Sequence, residues 1–183
     1  MLRNKLSLIL FLAGFACLLG GLFFIWEMNS PRTISFDIKE LNSPSSSGSK
    51  DHLPVFLQIK DLKINLPVKE TSLVNGNWQI VNNGIAYLSS SAVPGETGNS
   101  IFYGHNWPNL LGNLIKAKTG QIIKVIFNDG QIKNFIIIDT AVVSPDNISF
   151  LRTTADKRLT LYTCTGFFDN KRFLVIADLL KKK

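Results

Sequence analysis

Cysteine is scarce in this chain: among 183 residues only Cys17 and Cys164 occur. That excludes a disulfide-stapled scaffold. Histidine is as rare, with only His52 and His105. One histidine and one cysteine within a folded domain are too few ligands for zinc. No EF-hand spacing orders the acidic residues, and no glycine-rich loop of the phosphate-cradling kind occurs. We therefore expect no metal site and no cofactor, with calcium dependence left open. Charged residues are also few, at 18% against 45% hydrophobic, which excludes a disordered chain. The net charge of +7 sits largely at the ends. Without Arg3, Lys5 and Lys181 to Lys183, 15 basic residues face 13 acidic ones, a balance of +2. The body of the chain is near neutral, so nucleic acid is not an expected partner. The length allows one domain and a short appendage.

Charge is wholly missing from Leu6 to Trp26, 21 positions reading LSLILFLAGFACLLGGLFFIW. As a helix at about 1.5 Å per residue, this run spans roughly 30 Å of hydrocarbon. Arg3 and Lys5 precede it and Glu27 follows it. The positive flank predicts an N-terminus inside the cell and a C-terminal body outside. A cleaved signal peptide has a shorter apolar core and a small-residue exit, which Phe24-Ile25-Trp26-Glu27 does not offer. Cys17 reads as a small apolar residue of the span, since Gly14-Phe15-Ala16 does not fit lipoprotein processing. The expected organisation is a cytoplasmic end at 1–5, a single-pass anchor at 6–26, a Ser- and Pro-rich linker at 27–54 and a folded domain at 55–183. His52, at the end of the linker, reads as a solvated histidine.

From Val55 onward, short apolar or alternating runs are punctuated by turn residues. The strand candidates are 55–60, 64–68, 77–81, 85–89, 100–104, 121–127, 131–143, 158–164 and 172–179. Asn82-Asn83-Gly84 and Asn128-Asp129-Gly130 read as hairpin turns. Helical patterning is limited to single turns at 94–99 and 109–117. No long helix alternates with the strands, so a doubly wound α/β fold is not expected. The expectation is a mainly β fold, a closed barrel of about eight strands with short helices, because closure removes exposed edges.

Cys164 ends an apolar strand, and Gly166 marks the exit from it. Strand exits are where functional groups collect. His105 stands at another strand exit, after Gly104, and is the only histidine within the domain. A thiol must lose its proton to attack, and histidine supplies both a base and a leaving-group acid. Arg172 opens the last strand eight residues after Cys164 and offers a guanidinium to a developing oxyanion. The alternative reading of the same residues is a membrane-tethered interaction module with a structural cysteine. His105 precedes Cys164, the reverse of the papain order.

These motifs resemble the sortases, membrane-anchored transpeptidases of the bacterial surface. Thr160-Leu161-Tyr162-Thr163-Cys164 is similar to the family's T-L-x-T-C strand. Pro94-Gly95-Glu96-Thr97-Gly98-Asn99 with Gly104-His105 is similar to its P-G-x-x-G-N and G-H block. Arg172 matches the arginine of the final strand, Leu66-Pro67-Val68 an early L-P-V element, and Lys118-Thr119-Gly120 with Ile122 a K-x-G-D-x-I turn in which Gln121 replaces Asp. Asn106 follows the histidine where Arg or Ser is frequent. The resemblance covers roughly residues 55–180.

The resemblance implies a sortase barrel and a cysteine transpeptidase. Cys164 is its acyl-thioester nucleophile, His105 its proton donor and acceptor, and Arg172 its oxyanion and substrate stabiliser. Asn106, Ile148, Leu151 and Thr163 are the implied substrate contacts. The implied substrate is a secreted protein with a C-terminal LPxTG-like motif, and the acceptor an amine of the cell wall or pilus. Without an aromatic lid motif or a second membrane segment, a class D, E or F type is expected rather than a pilin-polymerising one. A thiol peptidase that only hydrolyses is the other enzymatic reading.

Overall fold

The computed structural model describes residues 2–28, 36, 52–74 and 77–181. The chain divides into two compact units, Met1–Thr33 and Ile34–Lys183. The first is a single helix, α1, at Leu2–Met28. Its segment Leu8–Trp26 is long and apolar enough to cross a membrane by length and composition. No side chain of that segment is buried by protein, as expected of a helix with apolar residues on every face.

The second unit is a barrel. Its strands are β1 (Pro54–Ile59), β2 (Ile64–Thr71), β5 (Ile85–Leu88), β6 (Gly98–Gly104), β7 (Ile122–Phe127), β8 (Ile132–Val143), β9 (Lys157–Thr165) and β10 (Lys171–Leu179). They close in the order β1-β2-β5-β6-β9-β10-β8-β7. A separate two-stranded ribbon joins β3 (Leu73–Val74) to β4 (Asn77–Trp78). Within the barrel the pairs β2–β5 and β6–β9 are parallel and the remaining six antiparallel. The eight-stranded closed barrel expected from the sequence is present.

Period-two alternation sorts the side chains into an inner and an outer layer. Leu57, Phe102, Val125, Phe135, Leu161 and Val175 fill the barrel interior. Burying each such side chain stabilises the fold by about 1.5–3 kcal/mol. The alternate residues Tyr103, Tyr162 and Leu174 lie in a second cluster outside the barrel, with Trp78, Val81 and Leu151. Strands β6 and β9 are thus covered on both faces, which explains their nearly unbroken burial.

Three local expectations are corrected. Asn82-Asn83-Gly84 does not turn a hairpin, because β4 pairs with β3 while β5 pairs with β2 and β6. Trp78 instead lays its ring edge-on to Tyr103 and Tyr162, at 4.9 and 5.9 Å between centroids. That packing holds the segment against the outer layer. Residues 94–99 form no helix; Glu96 closes a turn on Val93 and β6 begins at Gly98. His52 is not a merely solvated side chain. It stacks on Phe127 at 4.0 Å and bonds the Asp129 carboxylate at 2.9 Å, tying the domain's start to the β7–β8 turn. The second expected helical turn is present as a 3₁₀ turn at Gly112–Lys116. The stretch TISFDIKEL at 33–41, which reads as either a short strand or a helical turn, lies outside the described residues except for Phe36.

Candidate active site

Register brings the three predicted catalytic residues together. On the antiparallel pair β9–β10, Cys164 stands directly opposite Arg172. On the parallel pair β6–β9, Gly104 stands opposite Thr163, so His105 and Cys164 each follow one step beyond a matched pair. Neighbouring strands lie about 4.8 Å apart. Three residues from distant parts of the sequence therefore share one level on three adjacent strands. Cys164 shares the outer face with Tyr162, Arg172 with Leu174, and His105 follows in phase with Tyr103.

The site is closed over by protein. Cys164 and Arg172 are each 2% exposed and His105 is 6% exposed. Burial pushes the Cys164 thiol up to about 12, against the favourable charge of Arg172. Asp169 adds to the rise. Burial also holds His105 below its ordinary value, and Asp169 opposes this only in part. The resting pair is consequently a thiol and a neutral imidazole. The Arg172 guanidinium donates through Nη1 to the carbonyls of Asp169 and Lys171, at 2.9 and 3.0 Å.

Two loops aim these groups. Trp107 stacks on His105 at 4.3 Å with only 8° between planes. The His105 carbonyl accepts from Leu111, and the Trp107 carbonyl from Leu110 and Gly112. A Cβ on Gly112 would stand 2.8 Å from the carbonyl oxygens of Asn106 and Trp107, so only glycine permits this approach. The second loop, a 3₁₀ turn at Phe167–Asp169, is strained: Phe168 and Asp169 have φ of 53° and 55°. Each such left-handed non-glycine residue costs about 1 kcal/mol or more.

The expected substrate contacts lie around this level of the barrel. Thr163 is fully buried and its hydroxyl donates to the Gly104 carbonyl at 2.8 Å. That bond braces β6 against β9. Asn106 directs its amide at Asp169, 2.9 Å away. Leu151 and Ile148, on the 3₁₀ turn Ile148–Leu151, pack with the outer cluster that holds Cys164. Asn99 pins that turn by donating to the carbonyls of Phe150 and Arg152 and accepting from Thr160.

Sequence reasoning missed Trp107, Asp169 and Phe36. Phe36 is 2% exposed within the same outer cluster as Cys164. Its ring meets Tyr162 edge-on at 4.9 Å and lies 5.8 Å from the Arg172 guanidinium. Its carbonyl accepts from Trp78 Nε1 at 3.3 Å. The signal for Trp107 and Asp169 was present as an aromatic and an acid beside the catalytic positions. Phe36 stands in TISFDIKEL, whose pattern says nothing of the distant residues it meets. Among the described residues, no three His, Cys, Asp or Glu side chains are grouped to hold a metal ion.

Comparison with known proteins agrees with this geometry. The sortase domain family model matches residues 57–180, which contain all three residues of the site. The chain belongs to the sortase family. This sortase is 25% identical to Sortase A of Listeria monocytogenes over 169 residues, covering 85% of this chain and 72% of the relative. It resembles a Clostridium perfringens Sortase D5 transpeptidase at 26% identity and a TM-score of 0.59, covering 69% of this chain and 78% of that one. Sortase C1 of Streptococcus agalactiae shares the fold at 22% identity and a TM-score of 0.62, covering 78% and 74% of the two chains. The protein is a cysteine transpeptidase of the sortase type, a family that anchors proteins to the cell wall.

Proposed function

We propose that this sortase cleaves an LPxTG-like motif near the C-terminus of a secreted protein and passes the acyl group to a cell-surface amine. The observation that carries the roles is the common level of His105, Cys164 and Arg172 on β6, β9 and β10. Proton transfer from the Cys164 thiol to His105 makes the reactive thiolate and imidazolium. The thiolate attacks a backbone carbonyl carbon, forming a C–S bond and an oxyanion. The Arg172 guanidinium stabilises that charge. The C–N bond then breaks, and the departing amine takes the proton from His105. The incoming amine attacks the thioester, His105 receives its proton and the Cys164 thiolate leaves.

Ile148 and Leu151 form an apolar wall for the motif's aliphatic residues, while Asn106 borders the site at His105. The helix at Leu2–Met28 anchors the enzyme in the bacterial membrane, N-terminus inside, with the barrel outside. Enzyme and exported substrate then share one surface, which raises their effective concentration. The likeness to the Clostridium perfringens Sortase D5 transpeptidase favours a class D type, within a fold that class C sortases share. Incubating the full chain with LPxTG-like peptides and a glycine-based amine tests this reading. The expected product is a ligated peptide that requires Cys164. Hydrolysis alone, with the amine in excess, overturns transfer.

A further inference from the structure

The Phe167–Asp169 turn is bonded both to Arg172 and to Asn106, the neighbour of His105. From it, the Asp169 carboxylate accepts from the side chain of Asn106, the residue next to His105. The carbonyl of the same Asp169 accepts from the Arg172 guanidinium. One residue thus joins the loop that carries the acid–base group to the group that meets the oxyanion. Backbone bonds shape each loop: the His105 loop through Leu111 and Gly112, the turn through Asp169 N on Gly166 and Asn170 N on Phe167. Both oxygens are presented from a turn whose backbone is left-handed at Phe168 and Asp169.

We propose that Asp169 is a positioning residue of the reaction, fixing the His105 loop through Asn106 and fixing Arg172 through its carbonyl. The inference rests on the acid–base and oxyanion roles given above to His105 and Arg172. The charged or titratable groups around the pair are Arg172 from β10, Asp169 from the turn and Tyr162 from β9. Arg172 favours the thiolate, whereas Asp169 favours the imidazolium and opposes the thiolate. Asp169 therefore trades thiolate for a larger share of protonated His105, the form that can donate to the leaving amine. Its removal should move both titrations in the same direction, downward.

Two substitutions separate charge from placement. Asp169→Asn keeps the backbone carbonyl and an oxygen for Asn106 but removes the charge. Asn106→Ala keeps the charge but cuts the tie. Both are made in the full chain in detergent micelles. The readouts are the NMR titration of His105 and the pH dependence of Cys164 alkylation by iodoacetamide. A third is steady-state turnover of a reactive LPxTG-like peptide. For Asp169→Asn we expect lower midpoints for both His105 and Cys164, and kcat reduced about tenfold with KM within twofold. For Asn106→Ala we expect a similar fall in kcat with a smaller movement of the His105 midpoint. Asp169→Glu should return the His105 midpoint toward that of the parent.

An Asp169→Asn protein with unchanged midpoints and kcat within twofold of the parent overturns the proposal. So does an Asn106→Ala protein with unaltered kcat. If the parent turns over none of the peptides, the sorting-motif reading fails. The His105 and Cys164 titrations then still decide whether Asp169 sets the charge of the pair. Should Asp169→Asn not fold, the Asn106→Ala titration and turnover carry the decision.

Discussion

Replacing Phe36 by alanine should unmask the thiol. Phe36 packs in the same outer cluster as Cys164 and lies beside Arg172 and Tyr162. Burial is the largest cause of the thiol's rise to about 12 from an ordinary 9.0. If the substitution restored ordinary solvation, the thiolate fraction at pH 8 would increase about a thousandfold. A thiolate of lower pKa is a poorer nucleophile, with a Brønsted slope of about 0.4–0.5, which removes a factor of roughly twenty. The net ceiling is about fortyfold in alkylation rate, and solvation that is only half restored still gives about sixfold. The assay is the rate of iodoacetamide modification at pH 8 followed by intact mass, with Cys164→Ala to identify the site. Circular dichroism confirms that the barrel stays folded. An increase of fivefold or more is expected. A rate within twofold of the parent refutes the reasoning, because the thiol is then shielded by the barrel itself.

Other expectations follow from the same geometry. In the parent, alkylation of Cys164 should keep rising through pH 10, since its thiol lies near 12; a plateau below pH 9 contradicts the burial argument. His105 is held below its ordinary 6.5, so the unfolded chain binds its proton more readily than the folded one. Stability should therefore fall as pH drops below about 6.5, and His105→Gln should flatten that part of the melting-temperature profile. Thr163→Val removes the hydroxyl on the Gly104 carbonyl and should cost about 1–2 kcal/mol in urea unfolding, with Thr163→Ser recovering most of it. Leu161→Ala, in the barrel interior, should cost about 3 kcal/mol in the same measurement.

The barrel strands were legible because alternation and turn residues are local signals. Cys164, His105 and Arg172 were legible because strand exits expose them to chemistry and because short motifs surround them. Pairing was legible only across one short turn: Asn128-Asp129-Gly130 joins β7 to β8 as read, whereas pairing between distant strands leaves no local signal. The Asn82-Asn83-Gly84 sequence has hairpin chemistry, yet Trp78 finds better packing on Tyr103 and Tyr162 than a ladder offers. The bond from the Thr163 hydroxyl to the Gly104 carbonyl was equally hidden, because it joins strands 59 residues apart. Phe36 and Asp169 act through contacts made 126 and 63 residues away, with Tyr162 and Asn106. Periodicity and spacing carry no record of such long-range partners.

The most direct test of the account is intact-mass spectrometry of the full chain in detergent with LPxTG-like peptides, alongside Cys164→Ala. The account predicts a mass increase equal to the acyl fragment on the parent, discharged by a glycine-based amine, and no adduct on the Cys164→Ala protein. An adduct or ligated product that persists without Cys164 would contradict it.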